Sequence, residues 1–150
     1  MKHIVDEIVI KILRIECGIK KWGVVRKFLI ESLKKIEINE NINIDINKSI
    51  IPCEEIYINI CRYAYSDGKG TVDIKCGYVP AFKKIFFEFI DNGIEFDPTR
   101  ANKRKPDLPL DKVKAGGLGI LISEKLSDEM KYRRINDKNI LRISNYVKEC

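Results

Sequence analysis

The stretch over residues 53–65 constrains the fold of this chain most. It reads C-E-E-I-Y-I-N-I-C-R-Y-A-Y, and its apolar residues recur at spacings of three and four. That period predicts a helix with one face against a core. Glu55 and Asn59 are four residues apart, so their side chains are expected to share a second face. Tyr63 continues this row, and Arg62 lies three residues from Asn59. These groups suit a metal–phosphate ligand, although similar rows are common on solvated helices.

Length and composition favour one soluble domain over residues 1–150. Apolar residues make up 45% of the chain and charged residues 33%, which suits a globular protein with its own core. The longest apolar runs are too short to span a membrane, and M-K-H-I-V-D-E does not follow the plan of a signal peptide. We therefore expect a cytoplasmic protein without a membrane partner.

The cysteines do not form a recognisable metal or disulfide framework. There are five, an odd number, with no C-x-x-C pair and a single histidine, His3. This pattern does not favour a Cys/His zinc site. It predicts reduced, mostly buried thiols.

The net charge of +6 raises nucleic acid as a partner. The basic residues concentrate at 100–105, in a proline-containing loop, and at 131–134, in an apparent strand. Neither cluster has interleaved aromatic residues or the pattern of a recognition helix. Direct nucleic-acid binding is therefore not favoured.

The predicted elements follow the order β-α-α-β-β-loop-α-β-β. They are a strand over 4–15, a helix over 20–36, the helix over 53–65 with Pro52 in its first turn, a hairpin of 71–78 and 84–90, a loop over 95–115, a short helix over 117–126, and a hairpin of 129–135 and 139–147. The polar segment 37–49 is divided between a loop and the start of the next helix. We expect an α+β two-layer sandwich, with a mixed, mostly antiparallel sheet covered on one face by helices.

Two further segments suit a nucleotide. F-I-D-N-G-I-E-F-D-P over 89–98 places Asp91 at a strand end, where it can accept a hydrogen bond from an exocyclic amine and select adenine. Gly93 lets the backbone approach the base without a Cβ clash. K-A-G-G-L-G-I over 114–120 leaves amide groups free at a helix start, where phosphate is favoured. Asn59 can offer its carboxamide oxygen to Mg²⁺.

In this order, the helix 53–65, D-N-G-I-E-F-D-P and G-G-L-G-I resemble the GHKL ATPase superfamily. The chain is also similar to the small bacterial anti-sigma-factor serine/threonine kinases. This similarity lies in the segments F-D-P-T, P-D-L-P-L, G-G-L-G-I-L-I-S-E-K-L-S-D-E-M-K-Y-R-R and N-I-L-R-I-S. The resemblance implies a Bergerat-type ATP site with a mobile lid and with ATP and Mg²⁺ as cofactors. It also implies that the protein sequesters a sigma factor or phosphorylates a serine on a STAS-domain anti-anti-sigma protein. A homodimer is left open.

The resemblance also assigns roles to residues. It implies that Glu55 is the general base and that Asn59 is the metal ligand. The nucleotide contacts it implies are Asn59, Arg62, Tyr63, Asp91, Gly93, Phe96, Lys112, Lys114, Gly116, Gly117, Leu118, Gly119 and Ile120.

Several positions depart from the family pattern. Glu95 stands at the second glycine of D-x-G-x-G, Tyr63 where a histidine is frequent, and Ala115 where characterised kinases often have a basic residue. The last strand is entered through N-D-K-N, without the usual glycine. The alternative is therefore an ATP-gated, partner-binding regulator with little or no kinase activity. A detached histidine-kinase catalytic domain would need a phosphoacceptor histidine on a separate partner, because His3 lies in a predicted strand.

Overall fold

A computed structural model describes residues 6–101 and 126–149 of the chain. The helices are α1 (Trp22–Glu40), α2 (Ile46–Asn59) and the short α3 (Pro98–Ala101), and a π-helical turn (Ile60–Ala64) continues α2. The strands are β1 (Ile8–Glu16), β2 (Ile42–Asn43), β3 (Thr71–Val79), β4 (Lys84–Asp91), β5 (Glu129–Ile135), β6 (Lys138–Tyr146) and β7 (Lys148–Glu149).

The main sheet has the strand order β1-β3-β4-β6-β5, and each pairing among these described strands is antiparallel. Strands β2 and β7 form a small second pair. Alternate residues of each strand point toward α1 and α2, as the two-residue period of a strand requires. The predicted two-layer α+β fold is confirmed, with the helices over one face of the sheet.

The core lies between that face and the two long helices. Leu29 and Leu33 of α1 and Ile56 of α2 are fully or almost fully buried against Phe87 and Phe89 of β4. The helix–sheet contact therefore fixes where the end of α2 lies relative to the end of β4.

Aromatic rings extend the core at the start of α1. The Trp22 ring lies beside the buried Tyr57 ring of α2, with centroids 6.0 Å apart. This contact joins α1 to α2 near the end of β1.

Both predicted hairpins are confirmed. A short 3₁₀ turn (Pro80–Phe82) joins β3 to β4. Asn136 and Asp137 join β5 to β6 with φ of 50° and 62°. Asn and Asp tolerate this left-handed conformation, so the turn does not need the glycine that the family pattern usually has there.

Some predicted boundaries were wrong. Strand β1 begins at Ile8, after the predicted start, and the helix predicted over 20–36 instead begins at Trp22 and continues to Glu40. Apolar spacing could not show this continuation, because Ile38 in the added turn is 81% exposed. Asn41 then ends α1 in the left-handed conformation.

The predicted position of Pro52 was also wrong. Helix α2 begins earlier, at Ile46, where the Asp45 carboxylate accepts a hydrogen bond from the Lys48 amide at 3.2 Å. This N-cap satisfies an amide that would otherwise lack a helical partner. Pro52 therefore lies buried inside the helix rather than in its first turn.

The helix predicted over 117–126, except Leu126, and most of the loop predicted over 95–115 lie outside the described residues. None of the helices in 6–101 and 126–149 has the length and apolar character needed to cross a membrane.

Candidate functional site

The end of α2 meets the loop that follows β4. The Ile94 amide donates to the Ala64 carbonyl in the π turn at 2.9 Å. Gly93 approaches the same residue so closely that an added Cβ would lie 2.2 Å from the Ala64 oxygen. The structure thus gives a reason for Gly93 that the sequence did not: the glycine lets the loop pack on the π turn. Its predicted contact with a base stays a prediction.

Asp91 is the last residue of β4, and only 6% of its surface is exposed. Its Oδ1 atom accepts hydrogen bonds from the Gly93 amide and from Asn139 Nδ2, each at 2.9 Å. Within the described residues, Oδ2 has no hydrogen-bond partner. One carboxylate oxygen therefore holds the loop, and the other keeps its capacity to accept from a ligand.

Asn139 is the centre of the hydrogen bonds around Asp91. Its Nδ2 also donates to the Ile94 carbonyl at 2.7 Å, and its Oδ1 accepts from Tyr132 Oη at 2.6 Å and Arg134 Nη1 at 3.0 Å. Asn139 is itself buried. This arrangement leaves the Asp91 carboxylate little freedom to turn.

Sequence reasoning missed Asn139, which it treated only as the first residue of a strand. Asn139 is opposite Asp91 in the antiparallel register of β4 and β6. A partner set by register across distant strands has no local sequence signal.

Tyr65 supports the same loop from the other side, and it too was missed. Its hydroxyl donates to the Thr71 carbonyl at 2.6 Å and accepts from the Asn92 amide at 2.9 Å. Gly70 lies against the ring, where an added Cβ would be 2.3 Å from the nearest ring atom. The residue therefore connects the start of β3 to the loop after β4.

Glu55 and Asn59 share a face of α2, as predicted, and both are half-buried. The predicted extension of this row to Tyr63 stays a prediction. Tyr63 lies in the π turn that begins at Ile60, which has i→i+5 hydrogen bonds. Arg62 and Tyr63 lie on the exposed side of this turn.

The structure brings the π turn that follows α2 and Asn59 against the Asp91–Gly93 loop. Phe96 follows this loop, and its amide lies 3.4 Å from Asn139 Oδ1 while its side chain is 47% exposed. The remaining predicted nucleotide contacts, Lys112, Lys114, Gly116, Gly117, Leu118, Gly119 and Ile120, lie outside the described residues.

The donor set near α2 fits Mg²⁺ only together with a phosphate. The described residues contain no group of three or more His, Cys, Asp or Glu side chains that could hold a metal ion. Mg²⁺ is commonly held by one or two protein oxygens plus phosphate oxygens and water. A single carboxamide oxygen from Asn59 suits that kind of site and not an all-protein cage.

A polar cluster lies behind the site, where β1 ends beside α2. The Tyr57 hydroxyl donates to the Gly18 carbonyl at 2.7 Å, and it accepts from the Gly18 amide at 3.3 Å. Cys17 and Cys61 flank this cluster. Interaction with the Cys17 thiol is the main cause that lowers the pKa of Cys61 to about 6, against the opposing effect of burial.

The prediction of mostly buried thiols holds for only part of the described set. Cys53 and Cys76 are buried, whereas Cys17 and Cys61 are half-buried. Cys150 lies outside the described residues.

A family model for the histidine kinase-like ATPase domain matches residues 22–145. The chain belongs to this family. The matched range of this histidine kinase-like ATPase domain begins with α1 and includes α2, Asp91 and Asn139, whereas Cys17 and Gly18 lie before it. The resemblance to the GHKL superfamily is confirmed.

A solved structure adds a likeness in fold. The chain is similar to the crystal structure of the RsbU and RsbW domains of Rv1364c from Mycobacterium tuberculosis, with a TM-score of 0.60 and 16% sequence identity. The match covers 91% of this chain and 32% of that one, so this chain spans about a third of the length of the protein it matches. A comparison with curated protein sequences gives no match.

Proposed function

We propose that this domain binds Mg-ATP where the end of α2 meets the loop after β4. We further propose that it is an anti-sigma factor and a serine/threonine kinase that phosphorylates a serine on a STAS-domain anti-anti-sigma partner. Nucleotide binding is supported by membership of an ATPase family that includes these elements. The partner and the phosphotransfer are supported by the sequence resemblance and by the fold shared with a protein that contains an RsbW domain.

The state of Asp91 is the observation that carries the proposal. Its Oδ1 is held by the amides of Gly93 and Asn139, which leaves Oδ2 as an acceptor in a nearly buried position. An exocyclic amine such as that of adenine supplies the matching donor. A hydrogen bond made away from water also discriminates strongly, because a base without the amine would leave the carboxylate unsatisfied.

Two residues of α2 have the remaining roles. Asn59, at the end of the helix, offers an oxygen to the metal ion that accompanies the phosphates. Glu55, four residues before it, takes the proton from the target hydroxyl. Both are half-buried, so they combine some shielding from water with access from outside.

The alternative function is an ATP-gated regulator that binds its partner with little or no phosphotransfer. Ala115 favours it, because characterised kinases of the resembled group often have a basic residue at that position. Glu55 favours the kinase, since a pure binder does not require a carboxylate there.

Isothermal titration of the Asp91→Asn variant tests nucleotide binding. Asparagine keeps an oxygen for Gly93 and Asn139 but replaces the free oxygen by an NH₂ group, which repels an amine donor. We expect affinity for Mg-ATP to fall at least tenfold, or about 1.4 kcal/mol. Asp73→Asn is the matched control, because Asp73 on β3 is paired with Arg14 instead. Unchanged binding by Asp91→Asn would refute the adenine assignment.

Transfer of radiolabelled phosphate to a STAS partner tests the catalytic assignment. Glu55→Gln keeps size and polarity but loses the base, so transfer should fall by about 10²–10⁴-fold while ATP affinity stays within a few-fold of wild type. Glu54→Gln removes the neighbouring half-buried carboxylate and serves as control. If the wild type transfers nothing although nucleotide still changes partner affinity, the alternative function is correct. Ala115→Arg is then the variant expected to restore transfer.

A further inference from the structure

The basic residues of β5 have two different environments. Lys131 and Arg133 are exposed, and each lies within salt-bridge distance of a glutamate. Arg134 is half-buried and shares a face of the strand with Tyr132, two residues before it. The basic cluster that the sequence shows at 131–134 therefore contains one cation that belongs to a different part of the molecule.

Arg134 holds two groups of the candidate site with a single nitrogen atom. Its Nη1 donates to the Gly93 carbonyl and to Asn139 Oδ1, each at 3.0 Å. Asn139 Nδ2 in turn donates to Asp91 Oδ1 at 2.9 Å. The guanidinium is therefore connected to Asp91 through one intervening amide, without occupying Asp91 Oδ2.

The chemistry of arginine determines the direction of these bonds. A guanidinium has only donors, so the Asn139 atom that faces Arg134 must be the carboxamide oxygen. The amide nitrogen then faces Asp91 and the Ile94 carbonyl, both of which are acceptors. The Tyr132 hydroxyl can either donate or accept, so it does not impose this direction. Bonds from a charged donor are also roughly twice as strong as those between neutral groups.

The same guanidinium completes the support of the loop after β4. The Asn92 amide donates to Tyr65 Oη and the Ile94 amide donates to the Ala64 carbonyl, each at 2.9 Å. The Gly93 carbonyl lies between these two amides along the chain, and Arg134 binds it. Arg134 therefore fixes both the loop and the amide that orients Asp91.

We propose that Arg134 is a positioning residue that makes the site specific for a base with an exocyclic amine. This inference rests on the proposed function, because it takes Asp91 Oδ2 as the acceptor of that amine. Arg134 acts through Asn139 and Gly93, which keep Oδ2 in one direction. Without the guanidinium, the carboxylate and its loop can move, so the site discriminates less between an amine and a carbonyl at the same position of the base.

The test compares Mg-ATP with Mg-ITP by isothermal titration of the full chain. ITP has the same ribose and phosphates, but a carbonyl oxygen replaces the exocyclic amine of its base. We expect the wild type to prefer ATP by at least about 100-fold. Arg134→Met should reduce this preference about tenfold, mainly through weaker binding of ATP.

Three further variants serve as controls. Arg134→Lys keeps a charged donor and should retain most of the preference, whereas Arg134→Gln is uncharged and should lose it as Arg134→Met does. Arg133→Met removes the neighbouring cation, which lies 3.9 Å from Glu88, and should leave the preference unchanged. Urea denaturation gives the folded fraction of each variant, and Arg134→Gln replaces Arg134→Met if the latter does not fold.

The ratio of the two affinities separates positioning from a purely structural role. A wild-type ratio in folded Arg134→Met or Arg134→Gln would overturn this inference alone, even if the variant is less stable. An equal loss of preference in Arg133→Met would also overturn it, because the effect would then come from net charge. Equal affinity of the wild type for ATP and ITP would refute it together with the adenine assignment, and failure to bind either nucleotide would refute the proposed function as well.

Discussion

Strand β4 carries two nearly buried carboxylates, Glu88 and Asp91, on opposite faces of the sheet. Glu88 is 3% exposed and Asp91 is 6% exposed, so both lose most of their hydration. Glu88 is surrounded by guanidinium groups, whereas Asp91 is held by the neutral donors of Gly93 and Asn139. Similar burial has therefore been stabilised in two different ways.

Arg142 is the main partner of Glu88. Its Nε lies 2.8 Å from Glu88 Oε2, its Nη2 lies 3.1 Å from Glu7 Oε2, and its guanidinium lies over the Phe86 ring at 4.0 Å. Burial alone would lower the pKa of Arg142, but the hydrogen bonds that it donates to Glu7 and Glu88 raise it. Arg133 adds a second, looser contact with Glu88 at 3.9 Å.

The difference separates a structural carboxylate from one available to a ligand. Cations engage both oxygens of Glu88, so its bonding capacity is largely used within the protein. Among the described residues, only one oxygen of Asp91 is engaged, and its donors are amides. A ligand with a single donor can therefore add to Asp91 without displacing a protein group.

The largest expected effect tests the structural side of this comparison. Arg142→Met leaves Glu88 buried without its closest cation, which typically costs about 3–5 kcal/mol in unfolding free energy. We expect the lower end of that range, because Arg133 remains nearby. Urea denaturation measures the loss. Arg14→Met, which removes an exposed partner of Asp73, should cost well under about 1 kcal/mol. Equal losses of unfolding free energy in the two variants would contradict the conclusion that Glu88 is a structural carboxylate that depends on Arg142.

A smaller effect on stability is expected when the hydrogen bonds around Asp91 are changed. Asn139→Ala removes the donor to Asp91 Oδ1 and leaves buried partners unsatisfied, at a cost of about 1–3 kcal/mol in stability. Because Asp91 can then turn, Mg-ATP affinity should fall in the folded fraction, as measured by titration. Asn145→Ala removes a half-buried amide from the same strand, one that accepts from Asp128 at 2.9 Å, and should leave that affinity intact. A loss of stability with normal affinity would show that the orientation of Asp91 does not depend on Asn139.

The smallest expected effect is on the loss of stability at acid pH. Hydrogen bonds from Arg14 lower the pKa of Asp73. The carboxylate therefore stabilises the fold above the unfolded pKa of about 3.9, and this contribution is lost as pH falls through the lower folded value. Asp73→Asn should lose less stability than wild type between about pH 5 and pH 2, by under about 1 kcal/mol because the pair is exposed. The midpoints of urea denaturation of both proteins across this pH range measure the difference. An equal loss of stability in Asp73→Asn and wild type would contradict the prediction.

The sequence predicted the architecture because its signals are local. The strand segments β3 to β6 and the turn residues Asn136 and Asp137 can be recognised without knowledge of tertiary structure. Predicted boundaries were wrong where an element continues beyond its apolar face. The end of α1 is an example, because the helix continues through Ile38, which is exposed.

The site was predicted only in part, because its geometry depends on distant contacts. Asp91 could be recognised at a strand end, but its orientation by Asn139 depends on the register of β4 and β6. A change from α to π hydrogen bonding after Asn59 cannot be read from residue spacing. The sequence also does not show that Gly93 lies too close to Ala64 to accommodate a Cβ atom.

The contact between Trp22 and Tyr57 provides an optical probe within the native chain. Trp22 is the one tryptophan in the sequence, so its fluorescence comes from a single known position. Its ring lies 6.0 Å from Tyr57, whose hydroxyl is bonded to Gly18 at the end of β1. Emission intensity and wavelength therefore report whether α1, α2 and β1 remain packed together, and rapid-mixing fluorescence can follow that junction without a label.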